Sequence, residues 1–147
     1  MDSNNVQPIK ILIVEDNPGD IRLIQEILKE TNINNNILIA KDGEAALKLL
    51  FNEEIATRPD LILLDLNLPK IDGRELLAKI KGDERLKSIP VVILTTSTAE
   101  EDIIETYKKH ANSYITKPVD LDQFIQVVES IKNFWFYIVK LPRSDEI

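Results

Sequence analysis

Five times along this chain a short apolar run, rich in β-branched residues and too brief for a helix, gives way to apolar side chains at helical spacing. That alternation is the signature of an α/β fold, a doubly wound parallel sheet with helices on both faces. The runs are Ile9–Val14, Ile37–Ala40, Leu61–Leu64, Pro90–Thr96 and Ser113–Thr116. Between them, Asn17-Pro18 opens one helix, Asp42-Gly43 a second, and Arg74 to Lys81 has the spacing of a third. Ser97 or Thr98 caps a fourth, carrying Ile103, Ile104, Tyr107 and Ala111 on one face. Asp120 with Gln123 starts a last helix that runs to about Val139.

In open parallel sheets, ligands bind at the carboxyl ends of the strands, so the residues that follow each run are the first place to look for chemistry. Leu61–Leu64 is an unbroken apolar run, as expected of a strand buried on both faces, and Asp65 follows it directly. Ile9–Val14 ends in Glu15 and Asp16, the fourth run delivers Thr95, and the fifth is followed by Lys117. No glycine-rich phosphate loop follows the first strand, so neither a dinucleotide nor a nucleoside triphosphate site is indicated, and the chemistry falls to side chains.

Composition narrows the class. A length of 147 residues suits a single domain, 1–147, with its core over about 9–131 and a polar tail at 142–147. No run approaches the ~20 apolar residues of a membrane span, and Met1 to Pro8 lack the basic and apolar regions of a signal peptide, so the cytoplasm is the expected compartment. The absence of cysteine excludes a disulfide scaffold or a thiolate metal site. A net charge of −7 without a basic cluster argues against nucleic acid as a partner.

Glu15, Asp16 and Asp65 crowded together repel one another and call for a cation. A set of oxygen donors without histidine or cysteine suits Mg2+, which is commonly held by one or two carboxylates together with a phosphate of the substrate. A carboxylate can attack a phosphoryl group to give an acyl phosphate, while a lysine neutralises the oxygens and a hydroxyl donates a hydrogen bond. Asp65, Lys117 and Thr95 supply those parts.

Together, Ile-Val-Glu-Asp ending at Asp16, Leu-Leu-Asp-Leu-Asn-Leu-Pro around Asp65 with Asp72-Gly73, Val-Val-Ile-Leu-Thr ending at Thr95, and Tyr-Ile-Thr-Lys-Pro ending at Pro118 resemble the response-regulator receiver family. The resemblance covers about Ile9 to Ile131. It implies the flavodoxin-like strand order 2-1-3-4-5 and a signalling role, not that of an ordinary enzyme: a histidine kinase donates phosphoryl to Asp65, and the altered surface binds or releases a partner. Residue by residue it implies Asp16 as a direct Mg2+ ligand, Glu15 as a ligand through water, and Asn67 as a ligand through its backbone carbonyl. Lys117 is implied as the phosphoryl-binding lysine, Thr95 as the hydroxyl that swings inward and Tyr114 as the aromatic that follows it. It also implies a cis Lys117-Pro118 bond. Asn17-Pro-Gly-Asp20 and the aromatic ending around Phe134 and Trp135 further resemble single-domain regulators that partner phytochrome-type histidine kinases.

One position departs from the family, which has alanine or glycine directly after the switch threonine where this chain has Thr96. A branched side chain there narrows the path to the phosphoryl group. A phosphorylation-independent binding module of the same fold therefore stays open beside the switch. A phosphohydrolase is disfavoured because Asn67 stands where a second acid is needed. His110, the only histidine, reads as a surface residue. In the last helix, Leu121, Phe124, Ile125, Val128 and Trp135 form a core-facing stripe. Val127, Ile131, Phe134 and Ile138 form a second stripe, which a homodimer pairing two last helices is expected to bury, with intramolecular packing as the alternative.

Overall fold

The computed structural model describes residues 9–30, 35–51, 58–96, 103, 111, 113–117, 120 and 122–127. Five strands, β1 (Ile9–Val14), β2 (Asn35–Ala40), β3 (Leu61–Leu64), β4 (Val91–Thr95) and β5 (Ser113–Thr116), form one sheet in the order β2-β1-β3-β4-β5. Every pairing is parallel. Among the described residues, three helices join them: α1 (Pro18–Glu30), α2 (Gly43–Leu50) and α3 (Gly73–Lys81). Residues 122–127 are also helical.

Strand residues alternate between two apolar cores, one on each face of the sheet. Leu12, Val14, Ile62, Leu64, Val91 and Ile93 face α2 and α3, whose Ala46, Leu76, Leu77 and Ile80 are buried against them. Ile11, Ile13, Leu63, Val92, Leu94 and Ile115 face the other way, onto Ile24 and Leu28 of α1 and onto Phe124. Phe124 is fully buried, and a side chain of that size contributes roughly 1.5–3 kcal/mol by leaving water. This two-sided coverage is why Ile11–Val14 of β1, all of β3 and Val91–Leu94 of β4 read as unbroken apolar runs, not alternating ones.

The helix starts follow from their caps. Asn17 accepts the Asp20 N–H at 3.0 Å, Asp42 the Ala45 N–H at 2.7 Å, Asp72 the Arg74 N–H at 2.7 Å and Asp120 the Gln123 N–H at 3.0 Å. Each side chain satisfies an amide that the first turn leaves unpaired. The hydrogen bond donated by the Ala45 backbone N–H holds the Asp42 carboxyl below its ordinary range.

Four details differ from the sequence expectation. Strand β2 begins at Asn35, two residues early, because Asn35 and Asn36 pair with Ile9 and Lys10 of β1. Strand β4 is one residue shorter at each end, and α3 starts at Gly73 directly after its cap. Residue 127, assigned by its spacing to the second stripe, is half-buried against the same core as Phe124, so Val127 faces the protein's own interior. The remainder of that stripe, the Ser97 and Thr98 caps, His110, Pro118 and the polar tail lie outside the described residues.

Candidate functional site

The strand order reverses between β1 and β3, so the crevice at their carboxyl ends is where a doubly wound sheet places its chemistry. Backbone bonds carry the sheet just past the strands and fix the functional residues side by side. The Glu15 N–H donates to the Ala40 carbonyl at 3.0 Å, the Asp65 N–H to the Val14 carbonyl at 3.0 Å and the Lys117 N–H to the Thr95 carbonyl at 2.7 Å. Residues from four strands thus converge on one edge.

The loop after Asp65 is fitted closely. Gly73 donates its N–H to the Leu66 carbonyl at 2.9 Å, and a Cβ on Gly73 would run into the Asp65 carbonyl and the Leu66 backbone. The requirement for glycine at 73 is therefore one of close approach. Within the loop the Ile71 N–H bonds the Pro69 carbonyl at 2.9 Å across Lys70, whose φ of 69° makes a γ-turn of the uncommon left-handed kind.

Lys117 reaches into the acids. Its Nζ lies 2.7 Å from Glu15 Oε1, 2.8 Å from Asp20 Oδ2 and 3.4 Å from Asp65 Oδ2. The lysine side chain is 7% exposed and that of Glu15 2%. Burial pushes the Glu15 carboxyl up to about 7; the Lys117 hydrogen bond opposes this and the Asp65 charge adds to it. Burial alone lowers an amine, but on Lys117 the hydrogen bonds to Asp20 and Glu15 and the charge of Asp65 outweigh it, and the ammonium is held above its ordinary range.

The acids share more than the lysine. One carboxylate oxygen from each of Glu15, Asp16 and Asp65 lies within 4.8 Å of the others, with Asp16 exposed and the other two buried. Three hard oxygen donors converging with one open side fit a divalent cation that keeps water ligands. The Asn67 N–H donates to Asp65 Oδ1 at 3.0 Å, and its side-chain amide donates to Thr95 Oγ1 at 3.1 Å. Thr95 is fully buried, whereas Thr96 beside it is exposed. Tyr114, opposite Ile93 on β5, is half-buried against the core that faces α2 and α3.

The structure therefore brings together every residue that the sequence singled out for chemistry, with Tyr114 at the flank. Two features escaped the sequence reading. Asp20 joins the site because the first turn of α1 folds back over the end of β1, and the signal for it was an acid four residues after Asp16 at the helix start. The Asn67 side chain ties the acceptor loop to Thr95, and no local pattern distinguishes that contact from an ordinary turn asparagine.

Fold and site together define a receiver-type signalling module, and the comparison with known sequences gives the family: the chain belongs to the response regulator receiver domains, which it matches over residues 11–129. It is 48% identical over 147 residues to response regulator Rcp1 of Synechocystis sp., covering 98% of this chain and all of that one. Among solved structures it resembles the phosphorylated cyanobacterial phytochrome response regulator RcpA, with a TM-score of 0.76 and 51% identity over 88% of this chain and 95% of that one. It also resembles the Mn2+-bound form of Rcp1, with a TM-score of 0.74 and 49% identity over 87% of this chain and 94% of that one. Among the described residues no helix is long and apolar enough to cross a membrane.

Proposed function

We propose that this chain is a phosphoryl-accepting switch in which a histidine kinase, of the phytochrome type, donates to Asp65. The observation that carries the reading is the placement of Asp65: 6% exposed, at the switch point of the sheet, with two further carboxylates and the Lys117 ammonium gathered around it. The likeness to a phytochrome response regulator supports the choice of kinase.

In the transfer an Asp65 carboxylate oxygen attacks the phosphorus of a phosphohistidine. The new O–P bond forms as the P–N bond breaks, and the electron pair stays on the imidazole nitrogen; with the proton on the other ring nitrogen, the leaving group is a neutral imidazole. The product is an acyl phosphate, with no change of oxidation state. Glu15, Asp16, Asp65 and the Asn67 carbonyl would hold Mg2+, and the Mn2+-bound relative supports a divalent ion in this donor set. When bound, the ion neutralises charge on the phosphoryl oxygens. The chain's own groups do the rest. Lys117 offers N–H donors and a positive charge that burial keeps unscreened, which favours the charge developing in transfer. Thr95, released from Asn67, turns its hydroxyl to the new phosphoryl group, and Tyr114 on the adjacent strand moves into the space this opens.

Intact-mass measurement with Mg2+ and a small acyl-phosphate donor tests the reading. The wild type gains one phosphoryl group and Asp65→Asn gains none. Equal gain by both, or none by the wild type, refutes it and leaves the phosphorylation-independent binding module.

A further inference from the structure

We propose that Asp20 is a positioning residue of this site, holding the Lys117 ammonium away from Asp65 so that the acceptor carboxylate stays free to attack. The inference rests on Asp65 as the acceptor. An ammonium has three N–H donors, and Lys117 has three carboxylate partners. The two short contacts go to Glu15 at 2.7 Å and Asp20 at 2.8 Å, and the long one, 3.4 Å, goes to Asp65. The acceptor thus receives the weakest hold that Lys117 has.

The local structure shows why Asp20 is available for this task. It is the third residue of α1, where an acid ordinarily reaches back to the amide of the capping residue. Here the amide of Asn17 donates to Glu15 Oε2 at 3.3 Å instead, while the Asp20 backbone N–H goes to Asn17 Oδ1. The Asp20 carboxylate is left to Lys117, 97 residues away in sequence. Asp20 also stands outside the trio of Glu15, Asp16 and Asp65 that would turn to a divalent cation. When Glu15 and Asp65 share their charge with that ion, Asp20 remains as the anchor of the amine.

Without that anchor the ammonium settles between Glu15 and Asp65. A carboxylate drawn into a short ion pair is a poorer nucleophile, and an amine committed to it is poorly placed for the incoming phosphoryl oxygens. Asp20→Asn is therefore expected to lower the maximal loading rate at saturating Mg2+ and small phosphodonor about tenfold, equivalent to ~1.4 kcal/mol. The half-saturating donor concentration does not rise, since removing a negative charge eases the approach of an anion. A purely electrostatic Asp20 gives the opposite split, with altered half-saturation and an unchanged maximal rate.

The second readout needs no phosphoryl transfer. In protein labelled with 15N-lysine, the Lys117 ammonium signal, assigned by its loss in Lys117→Arg, is expected to shift and broaden in Asp20→Asn, with and without Mg2+. Asp20→Glu, which returns a carboxylate within reach, is expected to recover both the signal and the rate. An unmoved Lys117 signal, an unchanged maximal rate, or equal loss in the Asn and Glu variants overturns the proposal. Failure of the wild type to accept phosphoryl on Asp65 instead overturns the proposed function, and the ammonium signal still reports whether Asp20 holds Lys117.

Discussion

Lys117 and Lys81 are two lysines drawn out of water on opposite sides of the function, and their ammonium groups respond in opposite ways. Lys81, at the end of α3, donates to the Lys87 carbonyl at 3.0 Å and the Ile89 carbonyl at 2.7 Å, tying down the turn that leads into β4. Its partners are neutral dipoles, burial prevails, and the amine is held below its ordinary 10.5. Lys117 is comparably enclosed, but its partners carry formal charge, and its affinity for the proton rises. Carbonyls are enough to place an amine, and carboxylates are needed to keep it strongly charged. The same contrast separates a lysine that braces the fold from one that can meet a phosphoryl group.

The largest expected effect comes from removing the charged member of the pair. Lys117→Met leaves Glu15, Asp20 and Asp65 facing one another without a counter-charge, and breaking a buried ion pair from one side costs ~3–5 kcal/mol. Urea unfolding in the presence of a chelator should show that loss. Adding a divalent cation should return part of it, because an ion that binds only the folded acids stabilises by mass action. A variant as stable as the wild type in chelator would mean that the acids do not depend on the lysine, and the contrast with Lys81 would fail.

Lys81→Met should cost about 1 kcal/mol, because two hydrogen bonds to carbonyls are lost while the desolvation of a charge is relieved. The pH dependence gives the sharper test. A folded-state value below 10.5 means that the folded protein gives up this proton more readily than the unfolded chain, so stability attributable to Lys81 grows as the pH climbs toward 10.5. For Lys117 the sign reverses: its contribution is complete below 10.5 and is lost as the pH rises through the higher folded value. Denaturant midpoints of the wild type should therefore improve relative to Lys81→Met between neutral and alkaline pH, and a flat difference would show that burial does not govern this amine.

The placement of Lys117 was legible in the sequence and that of Lys81 was not. The acids after β1 and β3, Thr95 after β4 and Lys117 after β5 stand directly behind apolar runs, so strand period and parallel topology alone bring them to one edge. Lys81 binds carbonyls at 87 and 89, contacts that exist only once the turn has folded, and no side-chain pattern announces them. The turn itself, which buries Leu86 and Ile89 without forming a strand or a long helix, was passed over because its two apolar residues fit no period. Asp20 was passed over for a related reason: an acid in the first turn of a helix is favourable wherever it occurs, so its long-range partner is hidden behind a sufficient local explanation.

A third lysine removes burial from the comparison while keeping the geometry. Lys87 Nζ lies 2.8 Å from Glu84 Oε2, the same separation as Lys117 from Asp20, but the two side chains are 53% and 83% exposed. Water screens the charges, and both long side chains lose rotamer freedom when they meet, so such a pair contributes ~0.2–1 kcal/mol at most and often nothing measurable. Lys87→Met should accordingly shift the urea midpoint by less than the equivalent of about 0.5 kcal/mol, and raising the salt should leave mutant and wild type nearly equal. The backbone carbonyl of residue 87 still accepts from Lys81 in this variant, so the test isolates the side-chain pair. A loss comparable to that of Lys117→Met would mean that separation, and not the exclusion of water, sets the worth of these pairs.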